Sequence, residues 1–377
     1  MHIVLVTHYA LPHQGGIETV TGQLASRLAD RGCAVTLLTS NIGITEDGPR
    51  PPGGVRLMPV PALNALESHG IPYPVFNPVK LAQALQSALR TADIVHLHGL
   101  LYQSCVVAAW MAHRRGIPVV LTEHAGFVRY RSRIVNAVER LAFATVGRQC
   151  CRLSDSIVAL NRRIEAELKP LARAATPFRM IHNGVDTNLF RPAAPPDRAQ
   201  LRSRWGFTRP TVLFVGRLVE KKGIHLLAEA VSEAFQLVAC GRGALPLTHP
   251  NIRLLGQLDP PTLVELYQAA DLLALPATGE GFPLVVQEAL ACGLPVIVSD
   301  DAINRDYLDE TVAVFAERSA AAFRAAIHRL LADDQRRQAM GSAGRQYVLD
   351  RFNWEQTVSA YLDIYRQLAS RASTGGG

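Results

Sequence analysis

Short apolar segments alternate with amphipathic helical segments along nearly the whole chain, and this alternation constrains the fold more than any other feature. The first half contains the strand-like segments HIVLVT, AVTLLTS, GVRLMPV, DIVHLHG, PVVLTEH and SIVALN, with helices predicted near 18–30, 78–90, 104–115 and 133–150. Strands that are apolar throughout are typical of a parallel sheet covered by helices on both faces. The first half is therefore predicted to be a doubly wound α/β domain.

The second half repeats this organisation. Its strand-like segments are TVLFVGR, FQLVACG, NIRLLG, LLALPA and LPVIVSD, with helices predicted near 224–234, 260–270 and 283–292. The Pro- and Ala-rich stretch between the halves is typical of a hinge. We predict a first domain over 1–187, a linker over 188–210, a second domain over 211–352 and a last helix over 353–372. In such sheets ligands bind beyond the carboxyl ends of the strands, so we expect the site in a cleft between the two domains.

Composition agrees with a soluble chain of two domains. The 377 residues are 48% hydrophobic and 19% charged, and no stretch approaches the roughly 18 apolar residues of a membrane span. The N-terminal segment is typical of a first strand rather than a leader peptide. The six cysteines lack metal-binding or CxxC spacing, which predicts reduced thiols and a cytoplasmic protein.

The positive charge is unevenly distributed. Residues 1–190 contain 19 Lys and Arg against 12 Asp and Glu, whereas the remainder has 20 of each. The excess therefore lies in the first domain, where it would favour an anionic acceptor or an anionic lipid surface. Chance unevenness is the alternative.

The segment TGEGFPLVVQEALACGLPVIVSD carries two glutamates around a predicted helix start. Glu280 precedes Pro283, a residue that suits a first helical position, and Glu288 follows inside the helix. A helix N-terminus attracts anions through its unpaired N–H groups and dipole. Two carboxylates beside such a terminus suggest a ligand with an anionic centre and hydroxyls at both ends.

Other strand ends in the second half carry cations or glycines. Arg217 and Lys222 in VGRLVEKKGI lie where they could hold a diphosphate, although a solvated turn has the same composition. Gly241 and Gly243 allow close approach of backbone to a ligand, or an ordinary turn.

In the first half, Gly16 lies between a strand and a helix, and His124 follows a strand. His96 and His98 alternate with apolar residues, which indicates core or cleft-wall positions. The chain has no GxGxxG motif, which disfavours a nicotinamide-dependent enzyme. It also has no DxD motif and no His/Asp/Glu cluster with metal spacing, so a bound metal is not required.

Five motifs in order resemble those of retaining glycosyltransferase family 4: HQGGIE, NGVD, VGRLVEKKG, GEGFPLVVQE with the E-x7-E pattern, and RFNWEQTVSAYLDIY. The resemblance covers nearly the whole chain. It implies the GT-B fold, with two facing Rossmann-like domains and a C-terminal helix that crosses back to the first. It also implies retaining, metal-independent transfer of a hexosyl group from a UDP- or GDP-sugar to an acceptor hydroxyl, without a bound cofactor.

The same resemblance implies roles for individual residues. Glu288 would bind the ribose diol and Glu280 a hydroxyl of the donor hexose. Gly16 would close over the phosphates, and His124 would lie near the donor sugar and the acceptor. Further donor-binding positions implied by the family are Arg217, Lys222, Leu258, Gly281, Phe282, Pro283 and Leu284.

The sequence departs from the family pattern after the strand LPVIVSD, where SDDAINRDYL lacks the usual glycine-rich turn. This departure concerns the floor of the donor pocket. Two other functions are open on the same fold: a nucleotide-sugar epimerase or hydrolase, and a non-catalytic binding subunit. Retention of Glu280, Glu288, Arg217, Lys222 and His124 disfavours the second.

A basic segment follows His124. Arg129, Arg131 and Arg133 are interleaved with Phe127, Val128 and Tyr130. Such a segment can rest on an anionic membrane. We therefore expect peripheral docking of the first domain on the inner face of the cell membrane and a glycan or lipid-linked envelope acceptor, with a solvated loop as the alternative. The motifs give no indication of a nucleic-acid partner.

Overall fold

The computed structural model describes residues 1–13, 15–45, 53–65, 73–127, 132–243, 249–279 and 281–374. The chain forms two compact units, the first built from Met1–His182 with Thr357–Gly377 and the second from Asn183–Gln356. Each unit is a parallel α/β sheet with helices, so the expected fold of two Rossmann-like units is confirmed. No described helix has the length and hydropathy that a membrane span requires.

The sheet of the first unit has seven parallel strands among the described residues, in the order β3-β2-β1-β6-β7-β8-β9. A separate antiparallel pair, β4 and β5, lies in the same unit. The strand order reverses between β1 and β6: β2 and β3 are added on one side of β1, and β6 to β9 on the other, which makes this the topological switch point. The strands are β1 His2–Val6, β2 Ala34–Ser40, β3 Arg56–Val60, β4 Ala62–Leu63, β5 Val75–Phe76, β6 Ile94–His98, β7 Val119–Glu123, β8 Ser156–Ala159 and β9 Phe178–Met180.

The helices of the first unit follow the predicted segments closely. Apart from α4, which has no buried residue, they pack apolar side chains on the sheet around a core in which every residue of β6, β7 and β8 is buried. The predicted helix over 133–150 is present, with a π-helical stretch at Phe143–Gly147 between its two α-helical parts. The helices are α1 Gly16–Asp30, α2 Pro78–Ala88, α3 Gln103–His113, α4 Arg133–Ala142, α5 Arg148–Leu153 and α6 Arg162–Leu168.

The second unit has six parallel strands in the order β12-β11-β10-β13-β14-β15, with its switch point between β10 and β13. Its strands are β10 Thr211–Val215, β11 Gln236–Cys240, β12 Ile252–Leu254, β13 Leu272–Leu275, β14 Val296–Ser299 and β15 Ala313–Ala316. Its helices are α7 Pro195–Trp205, α8 Ile224–Ala230, α9 Pro260–Ala269, α10 Leu284–Ala291, α11 Ala302–Tyr307, α12 Ala320–Leu331 and α13 Asp334–Arg351, with a 3₁₀ turn at Glu220–Lys222.

The segment expected to be a linker contains helix α7. Its arginines Arg198 and Arg202 both form ion pairs with Asp271, whose carboxylate also accepts the N–H of Thr211 at the start of β10. These contacts hold α7 within the second unit, because one half-buried carboxylate, directly before β13, bonds both the helix and the start of β10.

The last helix, α14 Trp354–Thr374, begins in the second unit and belongs to the first from Thr357 onward. Its Val358, Tyr361 and Tyr365 are buried. The Tyr361 hydroxyl bonds the Thr122 hydroxyl at 3.1 Å, and the Tyr365 hydroxyl bonds Nδ1 of His96 at 2.7 Å. The predicted return of the C-terminal helix to the first domain is therefore correct.

Candidate functional site

In the second unit, two cations lie beside the carboxyl end of β10. Arg217 follows Gly216, and its exposed guanidinium makes no hydrogen bond or ion pair with the described residues. Lys222 ends the 3₁₀ turn, and its aliphatic stem passes 3.8 Å from where a Cβ on Gly216 would lie. Both predicted cations are thus next to the switch point of this sheet, where a parallel α/β unit binds ligands.

Gly241 and Gly243 have a structural role. The sequence had allowed either contact with a ligand or an ordinary turn at these positions. Both have positive φ, and a Cβ on either would collide with a carbonyl of the loop after β10. The loop after β10 and the end of β11 are held together by two hydrogen bonds. The Gly216 N–H donates to the Cys240 carbonyl, and the Leu218 N–H donates to the Arg242 carbonyl. These glycines therefore permit the close backbone packing that fixes Arg217.

The glutamate-flanked helix start lies at the end of the loop that follows β13. Pro283 caps α10 and Leu284 is its first residue, so the first N–H groups of the helix have no intrahelical carbonyl. Phe282 anchors this terminus, because its ring stacks on Tyr307 at 4.2 Å and contacts Phe352. Gly281 precedes it, and Glu280 lies outside the described residues.

The loop after β13 is also held by hydrogen bonds to the 3₁₀ turn and to Arg318. Lys221 donates to the Gly279 carbonyl at 3.2 Å and accepts the Thr278 N–H through its own carbonyl. Arg318 bonds the Pro276 and Glu220 carbonyls. The 3₁₀ turn that carries Lys222 and the loop that leads to α10 are therefore held against each other.

Glu288 is partly buried and bonded to a tyrosine that sequence reasoning missed. The Tyr267 hydroxyl donates to Oε2 of Glu288 at 2.8 Å. Burial raises the pKa of Glu288 to about 7, although the bond from Tyr267 acts to lower it. The Cys240 thiol interacts with both Glu288 and the backbone of Leu258, so the predicted Leu258 and Glu288 both lie near this sulfur.

The turn that departs from the family pattern forms a capped helix start without glycine. The Asp301 carboxylate accepts the Asn304 N–H at 2.8 Å, and the Asn304 side chain donates to the Ser299 carbonyl. This turn and the helix start at Pro283 line the same small pocket. Its lining residues are Leu275, Ala277, Pro283, Asp301, Ile303 and Asn304. Side-chain capping thus replaces the glycine-rich turn beneath α10.

In the first unit, Gly16 is the first residue of α1, the helix that follows β1. A Cβ on Gly15 would collide with the Glu18 carboxylate, whereas a Cβ on Gly16 would meet nothing within 4 Å. Burial acts to raise the pKa of Glu18, but the His13 hydrogen bond and the nearby His8 outweigh it, so this pKa is lowered. Space is therefore open at Gly16 beside a buried ionised carboxylate.

His124 follows β7 directly and is held by a second histidine. Its Nε2 lies 3.0 Å from Nδ1 of His98, which is fully buried at the end of β6. Burial lowers the pKa of His124 to about 4 and lowers that of His98 well below its usual value. Both rings are therefore neutral near pH 7, and one N–H is shared between them.

The loop that carries His124 is positioned by the carboxylate before it. Buried Glu123 accepts hydrogen bonds from the N–H groups of Leu100, Ala125 and Gly126. His96, in contrast, is a core residue, because it bonds the Thr122 hydroxyl at 2.7 Å as well as Tyr365. Of the two histidines expected at core or cleft-wall positions, His96 is therefore a core residue, whereas His98 contacts His124.

Sequence reasoning missed Tyr267, His98 and Glu18 as partners of predicted site residues. Glu18 was visible in the HQGGIE motif, and the alternation VHLH placed His98 on the same face as His96. Tyr267 had no comparable signal, since a tyrosine in VELYQAA is typical of a core position. Among the described residues, no group of three or more His, Cys, Asp or Glu side chains could hold a metal ion.

Two family models match the chain. The model described as Glycosyltransferase Family 4 matches residues 14–189, and the model described as Glycosyl transferases group 1 matches residues 197–347. A D-inositol 3-phosphate glycosyltransferase of Xylanimonas cellulosilytica is 30% identical over 95% of this chain and 93% of its own length.

Other similar proteins cover part of the chain or share its fold. A GDP-mannose-dependent monoacylated alpha-(1-6)-phosphatidylinositol monomannoside mannosyltransferase of Corynebacterium glutamicum is 31% identical over 47% of this chain and 53% of that protein. Sucrose-phosphate synthase from Thermosynechococcus elongatus superposes with a TM-score of 0.78 at 23% identity, covering 98% of this chain and 99% of the other. Anabaena HepE in complex with UDP-glucose superposes with a TM-score of 0.75 at 20% identity, over 99% and 100%.

Proposed function

The chain belongs to glycosyltransferase family 4, and on that premise we propose that it is a retaining enzyme that transfers a hexosyl group from a nucleoside-diphosphate sugar to an acceptor hydroxyl. The observation that carries this proposal is the arrangement in the second unit. Two cations, a helix N-terminus and a tyrosine-bonded glutamate all lie around the switch point of one sheet. This combination suits a ligand with a diphosphate between two polyols.

The donor-binding roles follow from the chemistry of each group. Arg217, Lys222 and the N–H groups from Phe282 to Val285 would bind the diphosphate, because all are donors and two are cations. Glu288 would accept the ribose hydroxyls, and Glu280 a hydroxyl of the hexose. Leu258 would contact the base through its backbone. Both UDP and GDP are candidates, since HepE was solved with UDP-glucose and the Corynebacterium relative depends on GDP-mannose.

We propose that the reaction proceeds on one face of the sugar without a bound metal. The departing diphosphate carries the developing negative charge, and Arg217 and Lys222 would stabilise it. Its oxygen would help remove the proton from the acceptor hydroxyl as the new glycosidic bond forms. His124 is neutral, so it would orient a sugar hydroxyl by hydrogen bonding rather than carry charge. Catalysis would then depend mainly on positioning and charge stabilisation.

The acceptor side is assigned to the first unit, with an anionic glycan or a lipid-linked envelope acceptor. Its positive excess favours an anionic partner. The names of two relatives also support an anionic acceptor, since one names an inositol phosphate and the other a phosphatidylinositol mannoside. Synthesis of envelope glycolipid or polysaccharide, by an enzyme on the inner face of the membrane, is the role we propose.

The test is a panel of UDP- and GDP-sugars assayed for protection against thermal unfolding, followed by transfer assays in excess EDTA. We expect one nucleotide series to raise Tm and transfer to persist with the chelator. Release of free sugar without a transfer product would instead identify a hydrolase, and an epimerised nucleotide sugar would identify an epimerase. Protection by no nucleotide sugar would contradict the proposal, and loss of activity in EDTA would contradict its metal-independent form.

Gly16→Ala is expected to lower transferase activity without destabilising the fold. The new methyl group meets no protein atom, but it fills the space through which we propose that phosphate approaches the backbone. The matched control is Gly15→Ala, whose methyl group collides with Glu18 and should cost about 1 to 3 kcal/mol of unfolding free energy. Thermal unfolding and steady-state kinetics separate the two. Wild-type activity in Gly16→Ala would show that no phosphate approaches there.

Nucleotide affinity is expected to fall as pH decreases through about 7. Only the ionised Glu288 can accept hydrogen bonds from both ribose hydroxyls, and its pKa lies near 7. Calorimetry with the free nucleoside diphosphate between about pH 6 and about pH 8 should show this transition. Glu288→Gln should bind more weakly and keep only the smaller pH dependence that comes from titration of the ligand's own terminal phosphate. Tyr267→Phe removes a bond that lowers the Glu288 pKa, so its midpoint should move to higher pH. A wild-type pH profile without this transition would contradict the ribose role of Glu288.

A further inference from the structure

The hydrogen bond between His98 and His124 leaves one further ring nitrogen on each histidine, and the two nitrogens have different surroundings. The bond joins Nδ1 of His98 to Nε2 of His124. His98 is 0% exposed, and its Nε2 is buried without a hydrogen-bond partner among the described residues. His124 is 8% exposed, and Nδ1 is its remaining ring nitrogen. The pair therefore has a closed end at His98 and an end at His124 that is available to a ligand.

His96 closes the buried end of this pair. Its ring centroid lies 4.1 Å from that of His98, with the two rings tilted by 40°. Both nitrogens of His96 are already bonded, Nδ1 to the Tyr365 hydroxyl and Nε2 to the Thr122 hydroxyl. His96 therefore offers Nε2 of His98 neither a donor nor an acceptor, and the bond to His124 is the one that the His98 ring makes among the described residues.

The proton between the two rings has two alternative positions. Burial lowers the pKa of both rings, so both are neutral near pH 7, and a neutral imidazole has one N–H and one lone pair. If His98 donates, its buried Nε2 is an unpaired lone pair. If His124 donates, the buried Nε2 of His98 is an N–H without an acceptor. Buried N–H groups without a partner are rarer in proteins than under-satisfied acceptors, which favours donation from His98.

We infer that His98 is a positioning residue, which donates its Nδ1–H to Nε2 of His124 and so fixes His124 in the tautomer that donates through Nδ1–H to a substrate oxygen. The inference rests on the proposed function for the presence of a sugar substrate beside His124. A neutral histidine whose Nδ1 carries the proton and whose Nε2 is occupied cannot take a proton from the acceptor hydroxyl. Removal of that proton is therefore left to the departing diphosphate. The basic loop after His124, whose Arg129 and Arg131 lie outside the described residues, is not part of this assignment.

The test is NMR spectroscopy of the full chain with ¹⁵N-labelled histidine, because the chemical shift of a ring nitrogen shows whether it carries a proton. The signals of His124 are those that disappear in His124→Gln. In the wild-type protein without substrate we expect a protonated Nδ1 and an unprotonated Nε2. His98→Leu should lose this single tautomer. His98→Asn should keep it, because a side-chain N–H of asparagine can take the place of Nδ1–H.

Steady-state kinetics measure the consequence for transfer. His98→Leu should lower kcat/KM by about tenfold, which is the effect of one hydrogen bond to the substrate, and His98→Asn should recover most of this loss. Tyr365→Phe is the structural control, because it removes only the bond to His96. It should lower Tm but leave both the His124 signals and kcat/KM as in the wild type.

Several results would overturn the inference. These are a wild-type His124 with its proton on Nε2, and His98→Leu with the signals or the kcat/KM of the wild type. Equal losses in His98→Leu and His98→Asn would assign His98 a packing role only. The tautomer is measured without substrate, so the expected signals in a protein without transferase activity would contradict the proposed function and leave the effect of His98 on His124 standing.

Discussion

Lys222→Ala is expected to lower kcat by about 10²- to 10³-fold, the usual loss when one group that stabilises transition-state charge is removed. The stem of Lys222 lies against Gly216, which fixes its direction relative to Arg217 and the end of β10. The ammonium would meet the departing diphosphate, whose charge is greatest in the transition state. Arg217→Ala should show a loss of the same order, because its exposed guanidinium has no competing partner among the described residues.

The neighbouring lysine provides the matched control for Lys222. Lys221→Ala removes the same charge one residue earlier, but Lys221 bonds the Gly279 carbonyl and so supports the loop before α10. We expect Lys221→Ala to lower Tm more than Lys222→Ala does and to lower kcat less. Steady-state kinetics and thermal unfolding of both variants check this. Equal losses in kcat would show that local charge, rather than the position of Lys222, matters.

Deletion from Asn353 onward is expected to unfold the first unit. It removes the buried Val358, Tyr361, Leu362, Ile364, Tyr365 and Leu368. At roughly 1.5 to 3 kcal/mol for each buried large apolar side chain, the loss is comparable to the whole stability of a typical domain, about 5 to 15 kcal/mol. His96 and Thr122 would also lose their tyrosine partners inside the core. Circular dichroism and proteolysis should show the first unit unfolded.

Two milder variants control the truncation. Deletion of residues 375–377 alone should leave Tm unchanged. Tyr365→Phe keeps the ring and removes only the bond to His96, which should cost about 1 to 3 kcal/mol. A first unit that melts normally in the long truncation would show that α14 is dispensable there, whatever its buried contacts.

The predictable parts of the molecule were those encoded by local pattern. Alternation of strands and helices predicted both sheets, and Pro283 followed by an apolar run predicted α10 within one residue at each end. These features depend on neighbours in sequence, such as a proline at a helix start and a stripe at helical spacing. A single sequence suffices for them.

The remaining features depend on the register between distant segments. Tyr267 reaches Glu288 from another helix, 21 residues away, so its hydroxyl could not be distinguished from that of an ordinary core tyrosine. His98 meets His124 because β6 and β7 pair in one register, in which His98 lies level with Thr122. The helix around Ile134 was predicted, but whether its apolar positions Ile134, Val138 and Leu141 face inward or outward is a property of packing, and in the structure they are exposed.

The path of α14 sets the order in which the chain can fold during synthesis. The second unit is one continuous stretch, Asn183–Gln356, and is complete before the residues from Thr357 leave the ribosome. At roughly 5 to 20 residues per second, translation of that stretch lasts about 10 to 35 seconds. Throughout this interval His96 and Thr122 have been synthesised, but Tyr365 and Tyr361 have not. The half of the chain made first is therefore the last to reach its final structure, and an open β6–β7 face must be kept from aggregating until α14 has been made.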